Sequence, residues 1–434
     1  LRLAALVASV ALVAGLAALL LGGGESTPER GARSKPRSAM KPRSAIAHLW
    51  IDKDGGSCER SRQPAPYRDR KACGTFSAAY ESARQGDMVF VRSGTYKDAE
   101  LTGTVKGDPD ADEPDVTFMA AAGGKVTVHD IEVLVPHITF RDVNLLEASF
   151  KYRSDFDAQR AGDVTVMGSN GHSMTVTSVW NFTLRDSDLG PQIHPDQPDD
   201  ETQDAMFIGA YPVDDGHHPK NITIENVTFH DVVRPFPAAH SDCLQLTAGE
   251  NVTVRRSTFY NCADADIIPK NDQGPIRDLV IENSVLNEVV NDSEELNFFD
   301  TERPCGDVTF RYNSVIGTIR IDGGDPDVET DCNLVVVGNV MASLSPTRCS
   351  TSQAAVLEHN LWESGVECGP TNLLVPDGDV GYRDRSNDSE MDLRLTAGSE
   401  AIDRGGSRGE PAVDRDGTRR PRGAAPDAGA HESG

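Results

Sequence analysis

The sequence is short of basic charge and of aromatic rings. Its 434 residues carry 42 Lys or Arg against 68 Asp or Glu, a net charge of −26. A surface this acidic repels phosphate backbones and argues against a nucleic-acid partner. It also disfavours polyanionic substrates unless a local basic patch or a bound cation intervenes. Aromatics make up 6% and hydrophobic residues 38%, so the core must come mainly from Val, Ile and Leu with scattered Phe. No Cys-x-x-Cys pair occurs, which leaves a zinc or redox site of that kind without support. No amphipathic helix separates the repeated segments described below, which excludes an ordinary strand–helix–strand unit.

What is present begins at the N-terminus. Arg2 precedes an uncharged apolar run from Leu3 to Leu21. Residues 1–22 read as a signal peptide or an uncleaved membrane anchor. Residues 23–47, rich in Ser, Pro, Arg and Lys, lack an apolar period and read as a disordered linker. The expected location is extracellular, with membrane contact only through the N-terminal segment if it is retained. The eight cysteines are Cys58, Cys73, Cys243, Cys262, Cys305, Cys332, Cys349 and Cys368. An even count behind an export signal suggests disulfides, and sequence neighbours pair as 58–73, 243–262, 305–332 and 349–368.

One motif recurs. The segments His137-ITFRDVNL, Asn181-FTLRDSDL, Asn221-ITIENVTF, Asn251-VTVRRSTF, Asp278-LVIENSVL, Asp307-VTFRYNSV, Asn333-LVVVGNVM and Ala354-AVLEHNLW align, and a weaker copy starts at Asp115. The eight starts lie 44, 40, 30, 27, 29, 26 and 21 residues apart. The second, fourth and ninth residues are apolar, as in Ile222, Ile224 and Phe229. Alternating apolar residues describe a short strand with one face inward. The Asn or Asp that follows (Asp142, Asp186, Asn226, Asn283, Asn313, Asn339, Asn360) suits a tight bend. The period is too short for a propeller blade, and the leucine-rich pattern is absent. The reading is all-β: a single-stranded right-handed parallel β-helix over 48–370, a short capping helix near 75–84, a C-terminal capping tail over 371–434, and a monomer. The intervals of 44 and 40 predict the largest inserted loops after the segments at 137 and 181, as one side of a binding groove.

The pattern from Phe76 through Gly86-Asp87 to Gly94-Thr95-Tyr96 resembles the N-terminal cap of the pectate-lyase-like β-helix superfamily. The tail Asp414-RDGTRRP and Asp427-AGAHE resembles the C-terminal segment of many secreted bacterial β-helix proteins. The resemblance covers residues 48–434. It implies the fold, and a superfamily of lyases, hydrolases, epimerases and adhesins rather than one activity.

Reactive side chains are densest between Arg234 and Arg277. Asp242 and Asp264 lie 22 residues apart, close to one coil. Asp264 and Asp266 point the same way if both sit on a strand. Asp204 and Glu294-Glu295 occupy comparable places on flanking coils. Stacked carboxylates repel unless a cation, a base or a proton intervenes, which is what an acid pair or a metal site exploits. The candidate catalytic residues are therefore His240, Asp242, Asp264, Asp266 and Lys270, with Arg234, Gln245 and Asp204 as substrate contacts. The trio Asp242, Asp264 and Asp266 resembles the carboxylates of polygalacturonase-type hydrolases in its one-coil spacing, but the downstream His-Gly and Arg-Ile-Lys segments of that family are absent. A lyase would take its base from Lys270, Arg234 or His240, with Ca²⁺ on the aspartates. The plain alternative is that corner Asp residues bond their own backbone. A Cys243–Cys262 bridge would also push Asp242 out of register with Asp264. Two functions stay open: a secreted carbohydrate-active enzyme (polysaccharide lyase or glycoside hydrolase), or a non-catalytic surface protein that binds glycan. The partner in both is a polysaccharide.

Overall fold

The computed structural model describes residues 45–97, 99–104, 113–151, 161–192, 204–211, 217–233, 241–287, 296–299, 305–323, 333–345, 356–365, 369–375 and 379–433. The expected signal or anchor and most of the linker lie outside them. Among the described residues no helix is long and apolar enough to cross a membrane.

The chain winds into a right-handed parallel β-helix with three stacks of strands. The first stack contains the recurring segment: Ile222–Glu225 pairs in register with Phe182–Arg185 on one side and Val252–Arg255 on the other. A bend then leads into the second stack, where Phe229 pairs with Phe259 and Phe259 with Leu286. The third stack forms a separate parallel sheet that includes Met206–Gly209, Leu244–Leu246 and Ile267–Pro269. The apolar second, fourth and ninth residues of each segment point inward, so Ile222, Ile224 and Phe229 are fully buried. Stacking repeats them up the axis, and the Phe229 and Phe259 rings lie parallel, 4.7 Å apart.

Three coils lie outside the aligned segments. Leu49–Ile51 and Met88–Val91 extend the first stack below the weak copy at Asp115. Gly162–Met167 sits between the segments at 137 and 181. The interval of 44 residues is therefore an unrecognised coil and not the oversized loop expected there. Its second strand is only Asn170–Gly171, with glycine where other coils carry a large apolar residue.

The bend holds two distinct positions. The sixth residue of each segment is left-handed: Asp142, Asp186, Asn226, Arg256, Asn283, Tyr312 and His359 have φ of 50–56°. The seventh points into the interior. There Ser257, Ser284, Asn313, Asn339 and Asn360 are completely buried, and each side-chain oxygen accepts the N–H of the coil before it. The expected bend residues thus mix the two classes: Asn313, Asn339 and Asn360 are rungs of this internal ladder, while the left-handed residue of their coils is Tyr312, Gly338 or His359.

The helix Phe76–Ser82 is capped by Thr75, whose side chain accepts from the Ala78 N–H. It follows the first strand instead of preceding all of them. Phe76 packs against Tyr96, Phe118 and Phe140, which closes the N-terminal end of the core. The last solenoid strand, Leu373–Leu374, lies just past the expected boundary at 370. The tail then turns back along the flank. Val380, Tyr382, Leu393, Leu395 and Ala428 cover the outward Val285, Ile316, Val340 and Leu361. It also grips the row of left-handed turns: Arg256 donates to the Arg415 carbonyl at 2.9 Å, Asn283 to the Val413 carbonyl at 2.9 Å, and Gly429 to the Gly338 carbonyl at 2.8 Å.

Candidate functional site

Second-stack strands end at Leu189, Val232 and Cys262, and third-stack strands begin at Met206, Leu244 and Ile267. The corner between them is short in the last of these coils and long in the two before it. The candidates are spread over both kinds: Asp204 and Asp242 end the two long connections, Asp264 and Asp266 lie in the short one, and Lys270 follows the third-stack strand. His240 and Arg234 lie outside the described residues, as do Glu294 and Glu295.

The described residues divide by what their side chains meet. Asp204 Oδ1 accepts the backbone N–H of Asp242 at 2.8 Å. Asp264 Oδ2 accepts the N–H of Ser241 at 2.8 Å. Three consecutive coils therefore bring Asp204, Asp242 and Asp264 to one corner, and two of these carboxylates cap the chain of a neighbouring coil. Leu244 pairs with Ile267. Carried back, this register sets Asp242 opposite Ala265, with Asp264 one residue further along.

The Cys243–Cys262 bridge is present, with Cα atoms 5.5 Å apart, and it clamps the same corner. Asp266 faces this bridge from the interior: its carboxylate and both sulfurs lie within 4.8 Å of one another. Both sulfurs are spent on the bridge, so the group is no metal centre in this form. Burial holds the Asp266 carboxyl well above the usual carboxylate range. Asp266 is thus an interior acid; Asp242 is likewise fully buried and Asp204 is 6% exposed, which leaves Asp264 as the partly open carboxylate of this corner. Gln245 stands between Phe207 and Ile268 in the third stack and is mostly buried. Lys270, just past the strand end, pairs with Asp272 at 3.2 Å.

A second cluster flanks the corner, at the ends of the second-stack strands. His230 lies between two carboxylates, Nδ1 to Asp231 at 2.7 Å and Nε2 to Asp188 at 3.0 Å. Its ring stacks on Tyr260 at 5.2 Å. The hydrogen bond to Asp188 raises the His230 pKa, against the opposing effect of burial, and Asp231 adds to the rise. Burial works against ionising Asp231, but hydrogen bonds from His230 and Asn261 bring its pKa below the usual value. With both ring nitrogens engaged, the His230 ring is a clamp between coils; the groups open to a ligand are the carboxylates, 43% exposed in Asp188 and 40% in Asp231. Sequence reasoning missed this cluster because Asp188 and His230 stand 42 residues apart, and only the register of the two coils brings them together.

The bridge Cys58–Cys73 also forms as expected. Cys305 is disulfide-bonded, and Cys332, Cys349 and Cys368 lie outside the described residues.

No family model matches the chain, and no curated protein matches it. Among solved structures it is similar to pectate lyase Pel9A, with 16% identity over 90% of this chain and 98% of that one and a TM-score of 0.45. It is also similar to the mannuronan C-5 epimerase AlgE4 A-module of Azotobacter vinelandii, with 14% identity over 68% and 87% and a TM-score of 0.37. A third is PfbA, a surface adhesin of Streptococcus pneumoniae, with 12% identity over 59% and 78% and a TM-score of 0.34.

Proposed function

We propose that this is an exported carbohydrate-active protein, a polysaccharide lyase or glycoside hydrolase, and that its chemistry sits at the corner of Asp204, Asp242 and Asp264. The observation that carries the reading is the delivery of one carboxylate per coil to a single corner. Adjacent coils stack about 4.8 Å apart, a spacing on the scale of the two carboxylates that glycoside hydrolysis needs. Lys270, Arg234 or His240 would supply the base that an elimination needs, and Ca²⁺ on the acidic corner is the cofactor that reaction would take. Disulfides near the N-terminal cap and at the corner fit an oxidising, extracellular location.

The test is purified protein against a polysaccharide panel, with and without Ca²⁺, following 235 nm absorbance and reducing ends. Product that disappears in Asp242→Asn or Asp264→Ala, with the thermal midpoint kept, supports the reading. No product from any glycan overturns it. The second reading is a non-catalytic glycan-binding surface protein. It is favoured by the use of Asp204 and Asp264 as backbone caps and by the burial of Asp266, and turnover that depends on Asp242 would sink it.

A further inference from the structure

The first stack carries a regular polar face outside the corner, in which the first residue of most coils is left-handed, as at His137, Asp163, Asn181, Asn221 and Asn251. The third residue of six consecutive coils is threonine: Thr117, Thr139, Thr165, Thr183, Thr223 and Thr253 stand in unbroken register on the outward face. Two residues earlier in each coil stands Asp, His or Asn. That column is tied together by its own side chains: Asn181 donates to Asp163 at 2.7 Å, Asn221 to Asn181 at 2.7 Å, and Asn251 to Asn221 at 2.8 Å. The threonines are not there for the core, because the second and fourth residues on either side of them supply it.

Among the described residues, covering segments stop on both sides of this strip. Below it, Ala47, Ala72 and Tyr67 pack over the outward Trp50 and Phe90. Above it, the tail reaches the turns from Arg256 onward. Between them lies a groove of about 280 Å³ lined by Asp115, Asp163, Asn181 and Asn221 from one column, Thr165 and Thr183 from the other, and Glu113 at its end. Coils repeat about every 4.8 Å, so a linear polymer lying along the axis meets a hydroxyl with an amide or carboxylate at each step except the coil of His137 and Thr139, where the threonine donates to Asp115 at 2.6 Å. The lining offers hydroxyls, amides and three carboxylates and includes no Lys or Arg. A uronate chain would be repelled there; a chain with hydroxyls and ammonium groups is matched in both hydrogen bonding and charge.

We infer that this strip is a binding groove for a linear aminoglycan, whose hydroxyls meet Thr165, Thr183 and the asparagine column and whose ammonium groups meet Glu113, Asp115 and Asp163. The assignment rests on the carbohydrate reading above for its polymer class, but it uses a different face of the solenoid from the acidic corner.

The experiment is calorimetric titration of the whole protein at low salt with three probes: the fully deacetylated glucosamine hexamer, its N-acetylated counterpart, and a galacturonate hexamer. The glucosamine hexamer should bind, with an affinity that falls as salt rises. Thr165→Val/Thr183→Val should weaken it tenfold or more. Asp115→Asn/Asp163→Asn keeps the hydrogen-bond acceptors and should remove the preference over the acetylated hexamer. Unchanged binding by both double variants, or galacturonate binding as tight as glucosamine, overturns the proposal. Thermal midpoints and circular dichroism of each variant verify folding. Asp242→Asn should bind the glucosamine hexamer like the parent, so failure at the corner and failure at the groove are read separately.

Discussion

Asn360 accepts two hydrogen bonds from Asn339 through one oxygen, at 3.0 Å from the backbone N–H and at 3.0 Å from the side-chain amide. The amide of Asn360 in turn donates to the Val336 carbonyl at 2.8 Å. Both side chains are completely buried. The bend thus carries its unpaired backbone groups into the core and satisfies them there, where no water is needed to do so.

Removing a rung should therefore cost more than its volume suggests. Asn360→Ala leaves the buried backbone N–H of Asn339 without its acceptor, while the Asn339 amide keeps the Phe310 and Val337 carbonyls. We expect a loss of about 1–3 kcal/mol, seen as a lower urea midpoint with an unchanged slope. A loss below about 0.5 kcal/mol, the size of an ordinary surface substitution, would count against the ladder as a stabilising element.

The repeat was legible because three inward apolar residues recur in every strong copy. The coil at Gly162–Met167 was not, because glycine replaces the third of them. The bend residues were legible as a class but not as two positions. Asn is selected at the sixth place for tolerating left-handed backbone and at the seventh for its buried amide, and a sequence shows only the shared letter. Arg256, Tyr312 and His359 hold the left-handed place without being Asn, Asp or Gly. The tail supports at least two of them: the Arg420 guanidinium lies 4.7 Å over the Tyr312 ring, and Arg256 bonds Arg415. That support comes from more than 90 residues away, beyond the reach of a local pattern. At the corner, Asp204, Asp242 and Asp264 lie on three consecutive coils, with Asp264 one place out of register from Asp242. Asp266 went inward because the chain turns into the third stack between Asp264 and Ile267, so the i, i+2 rule for a straight strand did not apply.

His230 should make stability depend on pH in a stated direction. Its pKa is raised in the folded state from an ordinary value of 6.5, chiefly by the hydrogen bond to Asp188. A raised pKa gives a contribution that is fully present below the unfolded value and is lost as pH rises through the folded one. His230→Gln should therefore lower the thermal midpoint more at pH 6 than at pH 9. An NMR titration of the His230 ring should place its midpoint above 6.5; a midpoint below that value would refute the clamp.

Asp266 carries the opposite consequence for a carboxyl. Its folded pKa is raised by burial, so the folded protein holds this proton to higher pH than the unfolded chain does. Stability then falls as pH climbs from the unfolded value toward the folded one. Asp266→Asn removes that penalty and should raise the thermal midpoint at pH 7 above that of the parent. The gain should vanish near pH 3. Equal midpoints for variant and parent at pH 7 would show that Asp266 is ionised and not enclosed.

The tail is locked by an ion pair with no exposure on either side. Arg420 meets Glu432 at 2.7 Å, and both side chains are 0% exposed. Burial pushes the Arg420 pKa down and the Glu432 pKa up, so each charge depends on its partner. Arg420 also donates to the carbonyls of Asp427 and Gly429 at 2.9 and 2.7 Å. Arg420→Met should strand the Glu432 charge and cost about 3–5 kcal/mol, while Arg420→Met/Glu432→Leu should recover a large part of it. Because the tail covers Val285, Ile316, Val340 and Leu361, the single variant should also bind a hydrophobic dye while keeping its β-sheet circular dichroism. Loss of the sheet signal together with the tail would mean that the solenoid does not stand without it, and an unchanged dye signal would mean that the pair does not hold the tail in place.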